Sequence, residues 1–169
     1  MKLLIKHEEI VEISKAMGEQ ISKEYAGREP IVACVLKGAC PFHAELIKHI
    51  NIDMSVDYIQ VSSYQGTEST GKVTIKKDFD QDIAGKDVIL VEDIVDTGIT
   101  MNTLVPMLLS RKPKSVKVAT LLNKPSRRKV DFVPDYIGKS IDDLFVIGFG
   151  LDLDEKYRNL KDIYVYNQD

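Results

Sequence analysis

The chain has 169 residues, enough for one compact domain with a buried core. Hydrophobic residues make up 44% and charged residues 29%, the balance of a globular protein and not of a disordered one. A formal net charge of -3 argues against a broad nucleic-acid-binding surface, no apolar run reaches membrane-spanning length, and MKLLIKHEEI turns polar too soon for a secretory signal.

Segments of two periods follow one another along the chain. Ile10, Ile13, Met17 and Ile21 recur at helical spacing between Lys6 and Tyr25, with Gly27 as a stop. Ile31 to Leu36 (IVACVL) is a continuous apolar run rich in β-branched residues, which predicts a strand buried on both faces. Cys34 and Cys40, six apart in an apolar stretch and without CxxC spacing, read as buried, reduced thiols of a cytoplasmic chain. His7, His43 and His49 show no ligand spacing with them, so no structural zinc site is expected. Pro41 can open a helix whose apolar face is Phe42, Leu46, Ile47 and Ile50.

Met54 to Val61 partly alternates, as a half-buried strand does. Ser62 to Lys72 reads as a loop, and Val73 to Ile75 as a return strand. Asp87 to Glu92 (DVILVE) predicts a second buried strand, followed by a loop and a helix near Thr100 to Ser110. Pro106 inside that helix predicts a kink or an early end. Val116 to Leu122 predicts a third buried strand; Leu144 to Phe149 and Ile163 to Tyr166 predict shorter ones. The charged stretches at Asp78 to Asp82 and Arg127 to Lys129 read as solvated loops. Strands alternating with helices predict an α/β fold with a mainly parallel twisted sheet flanked by helices. With no repeat and no long linker, residues 1–169 read as a single domain.

Two adjacent carboxylates, Glu92 and Asp93, close the DVILVE run. At the carboxyl end of a strand they would face the crevice where open α/β sheets bind ligands. There they can accept hydrogen bonds from the vicinal hydroxyls of a ribose or hold magnesium through oxygen. Asp96-Thr97-Gly98-Ile99-Thr100 follows, just before the helix. Gly98 can adopt a backbone closed to other residues, leaving successive N–H groups to form an anion nest. The hydroxyls of Thr97 and Thr100 and the helix N-terminus favour a phosphate. A helix-capping Thr100 would explain D-T-G-x-T alone; two acids at the end of VILV make the pattern specific.

VILVEDIVDTGIT resembles the phosphoribosyl-pyrophosphate motif of the type I phosphoribosyltransferases, particularly their hypoxanthine-guanine branch. The resemblance implies that Glu92 and Asp93 meet the ribose hydroxyls, that Asp96 lies beside the reacting base, and that Thr97 to Thr100 cradle the 5′-phosphate. It includes Ile94 among the substrate contacts. Ile99, which stands where many relatives have a polar or basic residue, can still offer its backbone N–H. Leu36-Lys37-Gly38 resembles the family's pyrophosphate loop, in which the peptide before the lysine is often cis. Ser63-Tyr64 resembles a dipeptide of the family's lid, so the glycine-containing loop from Ser62 to Gly71 is expected to exclude water from an oxocarbenium-like centre.

By the same resemblance Lys124 faces the 6-oxo group of a purine. An ammonium only donates, so it suits a 6-oxo group and mismatches the 6-amino group of adenine. LFVIGFGLD resembles the segment that closes over the base: Phe145 would stack on the purine and the backbone of Val146 would meet its edge. Asp152 would join Glu92 and Asp93 on the metal side, and Arg158 would bind pyrophosphate. The family fold adds a small hood built from chain-terminal segments.

The activity implied is transfer of a 5-phosphoribosyl group from phosphoribosyl pyrophosphate to N9 of hypoxanthine or guanine, assisted by Mg2+. Asp96 would be the acid/base and no protein nucleophile would be required. A transferase preferring xanthine is an alternative, as is a nucleotide-sensing RNA-binding regulator on the same fold, which the net charge disfavours. A homo-dimer or homo-tetramer is expected from the resemblance, with no nucleic-acid or membrane partner.

Overall fold

The computed structural model describes residues 1–63 and 72–167. Its main sheet has six strands in the order β4-β3-β2-β5-β6-β7. These are β2 (Ile31–Leu36), β3 (Ser55–Ser63), β4 (Val73–Lys77), β5 (Asp87–Val95), β6 (Ser115–Asn123) and β7 (Tyr136–Ser140). All neighbours pair in parallel except β3 and β4, which run antiparallel. A second, three-stranded antiparallel sheet joins β1 (Lys2–Ile5), β9 (Ile163–Val165) and β8 (Val146–Ile147).

The helices cover both faces of the main sheet, and the period of two in its strands sorts their side chains between two cores. Val32, Ile89, Val91, Ala119 and Leu121 face α1 (His7–Glu24) and α2 (Cys40–Ile47), packing against Ile10, Met17, Ile21, Phe42 and Leu46. The alternate residues Ile31, Ala33, Val35, Val88, Leu90 and Val118 face α3 (Ile99–Leu109), packing against Met101, Leu104 and Leu108. Apolar runs without alternation are the sequence mark of strands covered on both sides.

The chain leaves β2 through α2 to reach β3 on one side, then returns to place β5 on the other. The carboxyl ends of β2 and β5 therefore flank the point where strand order reverses, and a crevice opens there.

Several expectations are corrected in detail. β5 does not stop at Glu92: Ile94 and Val95 keep pairing with Leu122 and Asn123 of β6, so both acids sit inside the strand. Pro106 neither ends α3 at once nor shortens it by more than a residue; the helix runs on to Leu109. The strand expected over Leu144 to Phe149 contracts to Val146–Ile147 because Gly148, Phe149 and Gly150 take φ of 97°, 49° and 96° and turn the chain. Cys34 is buried, but Cys40 is exposed at the start of α2; both are free. The loop from Ser62 to Gly71 gives up Ser62 and Ser63 to β3, and the rest of that lid segment, with Tyr64, lies outside the described residues. Among the described residues no helix is long and apolar enough to cross a membrane.

Candidate active site

A cavity of about 220 Å³ opens at the end of β5, lined by Glu92 to Thr97 together with Gly98, Thr100, Met101 and Arg127. The strand delivers Glu92 and Asp93 half-buried to its wall. Each carboxylate accepts a hydrogen bond from the next backbone N–H: Asp93 N–H to Glu92 Oε1 at 3.1 Å, and Ile94 N–H to Asp93 Oδ1 at 2.7 Å. Enclosure pushes the Glu92 carboxyl well above the ordinary carboxylate range, and the adjacent charge of Asp93 adds to the shift. Enclosure raises Asp93 too, opposed by its hydrogen bonds and by the positive charge of Arg158.

Beyond Val95 the chain turns at Gly98, whose φ of 82° places it at the N-terminus of α3. The first intrahelical bond runs from Asn102 N–H to the Gly98 carbonyl at 2.9 Å, so the preceding N–H groups lie at the open helix end. Ile99 N–H reaches the Thr97 hydroxyl only at 3.4 Å. Thr97 to Thr100 thus form a loop of donors with a helix dipole behind it, an arrangement that favours an anion.

This loop is braced from behind by residues that the sequence alone suggested were solvated. Arg128 Nη1 donates to the carbonyls of Asp96 at 2.6 Å and Val95 at 3.3 Å, and its Nη2 donates to Asn123 Oδ1. Lys129 N–H donates to the Thr97 carbonyl at 2.9 Å. A Cβ on Gly98 would lie 2.8 Å from Arg128 Cδ, so the glycine answers both the backbone angle and the brace. Pro125 opens the 3-10 turn Pro125–Arg127 that brings both arginines back to the strand end. The run N-K-P-S-R-R, in which proline follows the strand at once, was the available signal.

Asp96 stands at the mouth of the loop. Its Oδ1 accepts from Arg127 Nε at 3.0 Å, and its Oδ2 lies 3.8 Å from Lys124 Nζ. Lys124 is buried at the end of β6, its backbone N–H bonded to the Val95 carbonyl at 2.9 Å.

On the other side of the crevice the Leu36–Lys37 peptide bond is cis. Gly38 follows so close to β5 that a Cβ there would collide with Asp93 Oδ2. Lys37 Nζ pairs with Glu155 Oε2 at 3.2 Å, and Arg158 pairs with Glu155 at 3.1 Å and with Asp152 at 3.3 Å. Lys37, Asp152 and Arg158 therefore belong to one ionic group, linked by Glu155, which the sequence did not single out. Asp152 also accepts from Glu155 N–H at 2.9 Å. Among the described residues no three His, Cys, Asp or Glu side chains gather to hold a metal ion. Asp152 is engaged by Arg158 and by the Glu155 N–H.

Phe145, Val146 and Ser63 are not part of the cavity wall. Phe145 is 50% exposed, a high value for a phenylalanine, and is held edge-on by Tyr166 with ring centres 6.2 Å apart. Val146 is buried in β8, paired with Val165. Ser63 ends β3, exposed.

Residues 3–155 match the family described as the phosphoribosyl transferase domain. The chain is 50% identical over 169 residues to a hypoxanthine-guanine phosphoribosyltransferase of Streptococcus thermophilus, covering 99% of this chain and 94% of the relative. It is 47% identical over 160 residues to the Bacillus subtilis enzyme of that name, covering 94% and 89%. A crystal structure of a hypoxanthine-guanine phosphoribosyltransferase from Bacillus anthracis superposes with a TM-score of 0.95 at 46% identity, covering 99% of both chains. A crevice at the strand-order reversal, a braced anion loop and a sequence shared over its length place one conclusion beyond the fold: the chain belongs to the phosphoribosyltransferase family, on its hypoxanthine-guanine branch.

Proposed function

We propose that this single-domain chain transfers the 5-phosphoribosyl group of phosphoribosyl pyrophosphate to N9 of hypoxanthine and guanine, in purine salvage in the cytoplasm. The observation that carries the reading is the junction of Asp96 and buried Lys124 at the end of a helix-capped anion loop. One motif thereby presents a phosphate site and, beside it, a donor-only cation next to a carboxylate. The names of the relatives agree with that chemistry.

Thr97 to Thr100 hold the 5′-phosphate by backbone and hydroxyl donors, with Ile94 beside the sugar. Glu92 and Asp93 accept from the ribose hydroxyls. Lys37 and Gly38 orient the pyrophosphate with Arg158, Phe145 covers the base with Val146 at its edge, and Lys124 donates to O6. Asp96 takes the N7 proton as N9 bonds to the anomeric carbon, while pyrophosphate leaves with the electrons of the broken C–O bond. Ser63, at the end of β3, and Tyr64 after it open the segment proposed to shut out water.

Magnesium fits one side of this arrangement. Glu92 and Asp93 are adjacent oxygen donors whose charges oppose each other, and Gly38 leaves Asp93 Oδ2 a cradle that a Cβ would fill. Mg2+ commonly takes one or two carboxylates and completes its shell with substrate oxygens and water, so Asp152 is not required. When bound, it would neutralise charge on the departing pyrophosphate. A homo-dimer or homo-tetramer is part of the proposal, as the resemblance implies.

Pyrophosphate release is measured with phosphoribosyl pyrophosphate, magnesium and each of hypoxanthine, guanine, xanthine, adenine and uracil. Release with the first two is expected, and silence with all five overturns the reading. Asp96→Asn should keep sugar-phosphate binding and lower turnover by about 10²-fold or more; unchanged turnover removes its role.

A further inference from the structure

Arg127 is the one cation among the described residues that bridges Asp96 to the segment leading into Phe145. Its Nε lies 3.0 Å from Asp96 Oδ1 and 3.6 Å from Asp143 Oδ1. The 3-10 turn fixes its backbone, with Arg127 N–H donating to the Lys124 carbonyl at 3.1 Å. Arg127 and Lys124 thus leave one turn to meet the two oxygens of the same carboxylate. Both Arg127 and Asp143 are substantially exposed, and exposed pairs contribute little to stability. What the contact does fix is orientation.

The side chain of a free aspartate rotates, and its oxygens are equivalent. Here Arg127 takes Oδ1, which leaves Oδ2 as the oxygen beside Lys124. A 6-oxopurine carries O6 and N7 side by side on one edge. A donor to O6 and an acceptor for N7–H must therefore stand next to each other, and the 3.8 Å between Lys124 Nζ and Asp96 Oδ2 meets that requirement.

We infer that Arg127, held by Asp143, is a positioning residue that assigns Oδ2 of Asp96 to the N7 proton of the incoming purine. The inference rests on Asp96 acting at the base. Arg127 lines the cavity shared with the anion loop, and in this role it stays on Oδ1 throughout. Its loss lets the carboxylate turn away from N7 without disturbing the O6 contact. Proton transfer then suffers, while binding of phosphoribosyl pyrophosphate and choice between 6-oxo and 6-amino bases do not.

The experiment is steady-state kinetics of the full-length protein with Arg127→Ala, Arg127→Lys, Asp143→Asn, Asp96→Asn and the Asp96→Asn/Arg127→Ala pair. Arg127→Ala should lower kcat about ten-fold or more for hypoxanthine and guanine alike, with KM for phosphoribosyl pyrophosphate within about two-fold of the parent. Arg127→Lys should recover part of kcat, Asp143→Asn should lower it less, and the double variant should be no slower than Asp96→Asn alone. An Arg127→Ala enzyme with normal kcat, or one altered only in KM for phosphoribosyl pyrophosphate, overturns the inference. Full multiplication of the two losses in the double variant overturns it too. A normal Asp96→Asn enzyme instead overturns the role of Asp96 itself, so the two failures are told apart.

Discussion

Gly150 presents its Cα to the carbonyl of Gly38, and neither glycine has room for a side chain. A Cβ on Gly150 would strike that carbonyl oxygen and come within 2.9 Å of Pro41 Cδ; one on Gly38 would strike Asp93. At this point the backbones of the Lys37–Gly38 loop and the segment leading to Asp152 pack against each other, and the Asp93 carboxylate of the strand end lies against Gly38.

Gly150→Ala combines that collision with a φ of 96°, a backbone that L-residues rarely adopt. A loss of about 2–4 kcal/mol in urea unfolding is expected, with a raised KM for phosphoribosyl pyrophosphate. Gly27→Ala, at φ 77° with nothing within 4 Å, should cost only about 1 kcal/mol. Equal losses for the two variants would count against the close approach.

Glu92→Gln should stabilise the free protein at neutral pH. The native crevice disfavours a charged Glu92, so ionisation there opposes folding, and a neutral amide of the same shape removes the opposition. Thermal unfolding should show a higher Tm than the parent without substrate. The added stability given by magnesium with phosphoribosyl pyrophosphate should shrink. A lower Tm in the free protein contradicts the argument.

Asp87 behaves oppositely. Paired Arg28 N–H donors at 2.8 and 3.0 Å, with the Ser115 hydroxyl at 2.6 Å, hold its carboxyl below the usual range, Arg28 most of all. The folded value lies below the unfolded one, so the native state binds fewer protons in acid. Its stabilisation is complete above the ordinary aspartate value of about 4 and is lost as pH falls below that. Asp87→Asn should cost about 1–2 kcal/mol at pH 7, with a shallower loss of stability as pH falls below about 4. Parallel curves for parent and variant would exclude the assignment.

Lys124→Ala should raise KM for hypoxanthine and narrow its preference over adenine, because the donor that rejects a 6-amino group is gone. Competition kinetics with the two bases measures this directly. Unchanged selectivity removes Lys124 from the base edge.

The sheet was legible because its central strands are apolar on both faces, and IVACVL, DVILVE and VKVATLL needed no alternation to be seen. β1 and β7 were not: KLLI is short and mostly exposed, while YIGKS is an edge strand with Gly138 at its centre and one buried residue. Glu92 and Asp93 were recognised as chemistry but masked the last part of β5, since polar residues there serve the crevice and still pair with β6. Arg127 and Arg128 were missed for a different reason. A run of charge carries no mark of direction, and only the turn at Pro125 aims one guanidinium at Asp96 and the other at the carbonyls behind the loop. Contacts between segments distant in sequence, such as Lys37 with Glu155, have no local signature at all.

The pairing of Lys2–Ile5 with Ile163–Val165 has a consequence in time. Closing that sheet ties a loop spanning nearly all the described chain, whereas β5 and β6, which build the anion loop, are close neighbours in sequence. Loop-closure entropy and contact order put the short-range assembly first. On this ordering the loop at Gly98 and the Asp96–Lys124 junction form before the small sheet that carries Val146 closes. The amides of β1 and β9 should likewise be the earlier to exchange with deuterium in the native protein.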